Sequence, residues 1–391
     1  MSSGPLTGVR VLDLSRLLPG GYATLILADL GADVVKIEQP GSGDYIRSIP
    51  PVVGGVSAGH AALNRNKRSV TLNLKEPAGR DVLLRLVGDS DVLVESFRPG
   101  VLDRLGAGWN ACRTANPRLI YCAITGYGQD GPRSSTAGHD INYIGYSGAL
   151  AMTGEAGGPP VLPGVQIADL GGGGMSAVIG ILAALHRRTQ TGLGDFCDVA
   201  MLDGVVSWLS LHAAGYLSAG IPVERGRGPL GGGLPCYRVY PAADGYLTVG
   251  ALEPQFWSAL CAALGRADLA GDAYSTGDRG AEVVAELEAL FATKSRAEWL
   301  ALFEGLDVCV GPVNELAEAL EDDQVVERGL VVGNDTTAGF AGVATPMRLS
   351  GAPADTSRLP PPGLGEHTDE ILARAGFAPR EVDALRGDGV V

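Results

Sequence analysis

Gly4–Glu38 reads GPLTGVRVLDLSRLLPGGYATLILADLGADVVKIE. Two short apolar runs, Val9–Leu14 and Asp33–Glu38, flank a stretch of helical spacing, Gly21–Leu30. Strand, helix, strand in so short a span is a βαβ unit, whose crossover makes the two strands parallel. The alternation continues outward. Ser69–Leu74, Asp91–Glu95 and Leu119–Thr125 read as further strands, and Pro77–Val87 as a helix with Glu76 near its N-terminus. The expected fold class is therefore α/β with a parallel sheet. The turn after the first strand, SRLLPGGYA, lacks GxGxxG, which disfavours a dinucleotide site of the usual kind.

From about Ala137 the pattern becomes more helical. Ala177–His186 is apolar nearly all round and is expected to be buried. Met201–Leu217, with Trp208 and Tyr216, reads as one long apolar helix. Pro222–Leu234 has loop composition. Cys236–Tyr240 and Tyr246–Val249 form a hairpin-like pair, followed by amphipathic helices at Gln255–Leu264, Ala281–Ala292 and Arg296–Leu306. A last helical run lies at Thr368–Ala375. The expected division is a large α/β domain over 1–200 completed by about 340–391, a linker helix and loop at 201–235, a small α+β domain at 236–330, and a return linker at 331–339.

The chain has 391 residues, of which 46% are hydrophobic and 19% charged, so wholesale disorder is excluded. Its formal net charge of −14 argues against nonspecific binding to nucleic acid or to an anionic membrane. An anionic ligand would need a local cluster of cations. The six cysteines show no CxxC spacing and read as buried small hydrophobes in a reducing compartment. No basic region followed by an apolar run opens the chain, and no segment approaches about 18 consecutive apolar residues. The expectation is a cytoplasmic protein with no membrane span.

Only five histidines occur: His60, His139, His186, His212 and His367. His186 and His212 lie in apolar helical stretches and read as core or interface residues, whereas His60 and His367 read as surface or loop residues. His139 stands apart, in TAGHDINYIGYSG, where a glycine turn delivers His-Asp to a helix start. Its imidazole suits acid/base work near neutral pH, and the helix start offers unpaired N–H donors. The bland alternative is that Asp140 caps the helix and His139 is incidental. Asp169, in VQIADLGGGGMSA, is an acid among apolar residues, expected to have a raised pKa. The four glycines after it let a ligand approach the backbone closely, and the alternative is again a cap for a helix beginning near Gly174. Glu253, before Pro254, is either a functional acid or a favourable partner for a helix dipole. The cation cluster is found in Asn64–Arg68 (NRNKR), with Arg98 in SFRPG and Lys36 in the second strand. Those residues could pair phosphates, or form a solvated polar turn. No metal-ligand spacing is present.

Taken in order, these stretches resemble the family III CoA transferases, and within them the α-methylacyl-CoA racemases. The family markers are the opening stretch, LNRNKRSVTLNLK, VESFRPGVLDRLG, LIYCAITGYGQDGP and LGEHTDEIL. The racemase markers are GHDINY at 138–143, DLGGGGM at 169–175 and VGALEPQFW at 249–257. The resemblance implies a large Rossmann-like parallel-sheet domain plus a smaller α+β domain, in an interlocked homodimer whose active site lies between subunits. The activity implied is epimerisation of 2-methyl-branched acyl-CoA thioesters, with coenzyme A part of the substrate and no cofactor. It assigns His139 and Asp169 to opposite faces of the α-carbon and Glu253 to tuning the histidine. The Asp140 amide receives the thioester oxygen. Arg98, Lys67, Arg68, Lys36, Tyr143, Tyr237, Gly171 and Gly172 fall to binding the substrate and its coenzyme A. Gln39 departs from the arginine that many racemases carry there. Two other readings use the same residues: a CoA transferase with Asp169 as acyl nucleophile, and a non-catalytic CoA-binding protein.

Overall fold

Short extended segments, four of them rich in Val, Ile and Leu, pair into one wholly parallel six-stranded sheet. In this computed structural model, which describes residues 4–333, 341–352, 354–356 and 358–391, the strands are Arg10–Asp13 (β1), Asp33–Glu38 (β2), Lys67–Thr71 (β3), Val92–Glu95 (β4), Ile120–Thr125 (β5) and Asp195–Ala200 (β6). Their spatial order is β3-β2-β1-β4-β5-β6. Val11 of β1 lies opposite Val34 of β2 on one side and Val92 of β4 on the other. The order reverses between β1 and β4, the point at which sheets of this kind open a crevice at their carboxyl edge.

The helices that matter for the site are Leu17–Asp29 (α1), Asp140–Ser147 (α2), Ser176–Thr191 (α3) and Met201–Trp208 (α4). A π-helix, Ile167–Met175, runs directly into α3. By length and composition alone this 25-residue helical run could cross a membrane, which the sequence reading did not anticipate. It instead packs on β5, β6, α1 and α4.

The described residues form two units, Met1–Ser147 with Gly164–Trp208 and Asp323–Val391, and Gly148–Pro163 with Leu209–Asp322. The second holds an antiparallel sheet, Tyr237–Ala242 (β7), Gly245–Gly250 (β8) and Val310–Pro312 (β9), in the order β9-β8-β7. Its core includes Tyr240, Leu247, Trp257, Leu287 and Phe291.

Several expectations change. β3 begins at Lys67 rather than Ser69, because the basic residues before it find partners inside and the chain extends through them. β6 (DFCDVA) went unread. The α3 stretch is not buried all round: Ile179 is 67% exposed in the single chain, while Ala177, Val178, Ile181 and Ala184 face the core. The long apolar helix is two, α4 and Ser210–Ala219, broken at Leu209. A further helix, Pro379–Gly387, follows Thr368–Arg374. His60 is buried in a helix, with Nε2 3.2 Å from the Pro362 carbonyl, and burial lowers its pKa to about 4. His186 lies on the exposed side of α3. The six cysteines are free, but Cys309 is exposed and Cys197 half-buried. Most of the expected return linker, 334–339, lies outside the described residues.

Candidate active site

Two cavities open at the carboxyl edge of the parallel sheet, both within the first unit. One, of about 450 Å³, lies over the ends of β1, β4, β5 and β6 and is walled by His139, Asp169, Tyr143 and Arg98 among others. The other, of about 330 Å³, lies over the ends of β1, β2, β3 and β4. Its walls are Leu14, Ile37, Leu72 and Phe97, with Gln39 and Lys75 among the polar lining. Arg16 and Phe97, from the two loops that leave β1 and β4 at the sheet's reversal, line both.

His139 sits one residue before α2. Its N–H donates to the Asn142 side-chain oxygen at 3.0 Å, while the Asn142 N–H returns to the His139 carbonyl at 2.8 Å. Asn142 thus supplies the backbone half of a capping box. The helix start is closed without the imidazole, which stays exposed at the cavity wall. The alternative in which Asp140 caps the helix does not hold. Its carboxylate instead accepts the N–H groups of Ala168 (2.6 Å) and Asp169 (3.0 Å), joining α2 to the start of the π-helix. The Asp140 N–H, in the first turn of α2, has no acceptor among the described residues.

Asp169 stands in the first turn of the π-helix. Burial raises its pKa to about 6, helped by the Asp140 charge and opposed by His139. A carboxyl poised there exchanges a proton near neutral pH. Inserted π turns are frequent at functional positions.

The glycines after Asp169 serve packing. A Cβ on Gly171 would lie 2.0 Å from the Trp208 ring, one on Gly172 2.6 Å from the Met201 carbonyl, and one on Gly174 2.9 Å from Tyr22. Side chains there would push the π-helix off α4 and α1. Packing against Trp208 and Met201 therefore requires glycine at 171 and 172 whatever else these positions meet. Tyr143 lines the cavity, but its hydroxyl donates to the Gly138 carbonyl at 2.6 Å, so it offers a ring edge rather than a free donor. Burial raises that phenol to about 12.

The basic cluster is largely a buried strut. The Lys67 ammonium is buried and reaches the Asp13 carboxylate at 3.0 Å, Thr24 at 2.7 Å and Asn64 at 3.1 Å. Lys36 is buried against Asp44 at 3.0 Å and donates to the Ser15 carbonyl at 3.0 Å. Burial alone would raise the Asp13 carboxyl, but Lys36, Lys67 and two hydroxyls hold it far below the usual carboxylate range. Arg68 pairs with Asp33 at 2.6 Å, at the opposite, amino-terminal edge of the sheet, and with Glu370. Lys36, Lys67 and Arg68 are corrected accordingly: each is already neutralised by a carboxylate. Arg98 is exposed at the wall of the larger of these two cavities. Arg16 and Lys75 are the cations the sequence reading missed. Neither is in a charged run, and only the sheet order brings them together. Glu253 and Tyr237 lie in the second unit. Glu253 is exposed at the start of Pro254–Ala263 with no side-chain cap bond, and Tyr237 opens β7.

A family model described as CoA-transferase family III matches residues 6–368. Succinyl-CoA:glutarate CoA-transferase of Mus musculus is 40% identical over 378 residues, 95% of this chain and 86% of that protein. Alpha-methylacyl-CoA racemase of Homo sapiens is 38% identical over 388 residues, 99% of this chain and 97% of that protein. A crystal structure of a CAIB/BAIF family protein from Brucella suis matches with a TM-score of 0.84 at 34% identity, covering 95% of this chain and 100% of that one. The chain belongs to CoA-transferase family III.

Proposed function

We propose that the protein epimerises the α-carbon of 2-methyl-branched acyl-CoA thioesters. The observation that carries this reading is the pair His139 and Asp169 on the wall of one cavity, two proton carriers of different chemistry. One group removes the α-proton, and the electron pair moves onto the thioester oxygen. The other returns a proton to the opposite face, inverting the centre with no net change in atoms or charge. A C–H beside a thioester is only weakly acidic, so the enolate itself must be stabilised. The unpartnered Asp140 N–H is suited to that, and each ~1.4 kcal/mol it supplies is worth tenfold in rate. The acyl-CoA is laid across both cavities, nucleotide toward Lys75 and Gln39, thioester toward His139. Glu253 and Tyr237 act from the second unit of a partner copy in a homodimer.

A second reading has a specific observation in its favour: relatives named as CoA transferases match at the same level of identity as those named as racemases. There Asp169 attacks the thioester carbonyl, forming an acyl anhydride and releasing CoA. His139 has no assigned step in that chemistry.

His139→Ala and Asp169→Ala are expected to fold and bind coenzyme A while losing about 10²–10⁴ in epimerisation rate. Wild-type turnover in both would sink the two-base reading. Chains carrying His139→Ala and Glu253→Ala, co-expressed, should regain turnover if the two residues come from different copies; no recovery would remove Glu253 from the partner's contribution.

A further inference from the structure

The turn Ser15–Arg16–Leu17, between β1 and α1, is held at every point. The Ser15 N–H donates to Asp13 Oδ1 at 3.0 Å, and the Arg16 N–H to Ser96 Oγ at 3.0 Å. The Leu17 N–H donates to the Asp44 carboxylate at 3.2 Å, and the Ser15 carbonyl accepts from the Lys36 ammonium. Leu17 itself has φ +59°, a left-handed conformation that a leucine adopts only when its surroundings impose it. Strain that is over-determined in this way clusters at ligand clamps and switch regions.

The turn presents one charged side chain to both cavities. The Arg16 guanidinium lies 5.3 Å from the Tyr45 ring centre and 5.4 Å from that of Phe97, and donates to the Tyr45 hydroxyl at 3.2 Å. No carboxylate among the described residues pairs with it. The basic residues nearby contrast with it: Lys36, Arg47 and Lys67 each hold an acid. In a chain of net charge −14, an unneutralised guanidinium placed where two cavities meet is free for a ligand anion.

We infer that Arg16 is a specificity-determining residue which binds the diphosphate of a coenzyme A thioester at the junction of the two cavities, and that Ser96 and Asp44 are its positioning residues. The inference rests on the acyl-CoA reading above. A substrate laid across both cavities puts its nucleotide in one and its thioester in the other, and the linking diphosphate passes between them. The aromatic rings beside the guanidinium limit its freedom, so less is lost when the anion arrives. Ser96 holds the Arg16 backbone directly, whereas Asp44 holds the strained residue after it.

The test is calorimetric titration of the full-length protein with coenzyme A and, separately, with pantetheine, which has no phosphate. Arg16→Met is expected to weaken coenzyme A about 30-fold, the order of one charge-assisted hydrogen bond, and to leave pantetheine within about 2-fold. Ser96→Ala, which keeps the guanidinium but frees its backbone, is expected to weaken coenzyme A several-fold, with Ser96→Thr restoring most of it. Equal losses for both ligands in Arg16→Met, or none for either, would overturn the inference while leaving the acyl-CoA reading standing. Failure of the wild-type protein to bind coenzyme A would overturn that reading, and this inference with it.

Discussion

Asp169 owes its chemistry to its neighbours. The chain puts its carboxyl at the buried start of a helix, ties its N–H to Asp140, and leaves the Asp140 charge nearby. Both influences favour the proton-bound form. The folded-state pKa of about 6 lies above the ordinary aspartate value of 3.8, so the folded protein holds the proton more tightly than the unfolded chain. Stability therefore falls as pH rises from about 4 through about 6, and the cost persists above that. After allowance for solvent screening of a partly exposed group, the cost at pH 8 is on the order of 1–2 kcal/mol. Asp169→Asn cannot ionise, so it should melt higher than wild type at pH 8 and show no advantage at pH 4. An equal difference at both pH values would mean that the carboxyl is not destabilised by its setting. His139 complements it: the cap that could have consumed its backbone is closed by Asn142, leaving the ring at the cavity.

Helix contact explains the glycine run better than ligand approach does. Gly172 and Gly204 let the π-helix and α4 touch backbone to backbone, since a Cβ on Gly204 would lie 2.3 Å from the Gly172 carbonyl. Gly172→Ala gains about 1 kcal/mol in helix propensity but drives a methyl into the Met201 carbonyl, a rigid obstacle whose displacement costs about 1–3 kcal/mol. A lower melting temperature together with reduced turnover is expected, because Asp169 rides on the same element. A melting temperature at or above wild type would contradict this packing account. The same local logic decides what could be read in advance. β1, β2, β4 and β5 are largely apolar runs broken by turns and declare themselves, and β3 does so only from Ser69 onward. β6 contains two aspartates and a cysteine in six residues and does not; Asp198 there accepts the Gln129 N–H at 3.1 Å, a partner invisible along the chain. The NRNKR stretch misled for a related reason. Its basic residues are neutralised by Asp29, Asp13 and Asp33, which lie 36, 54 and 35 residues away.

The molecule's chemistry depends on where the sheet reverses. Two loops that share no motif, Ser15–Leu17 after β1 and Ser96–Arg98 after β4, meet because the strand order runs β3-β2-β1-β4. His139 and Asp169 were legible as unusual residues in unusual settings, and the resemblance assigned them roles. Arg16 was not legible, since its meaning arises only when β1 and β4 become neighbours. The central claim is that this assembly moves a proton rather than an acyl group. The most direct test is to incubate the protein in D₂O with one epimer of a 2-methylacyl-CoA and no acceptor acid, following configuration and α-deuterium by NMR and mass spectrometry. The account predicts epimerisation with deuterium at the α-carbon. No exchange, with CoA transfer beginning once free carboxylic acids are added, would contradict it and make Asp169 a nucleophile.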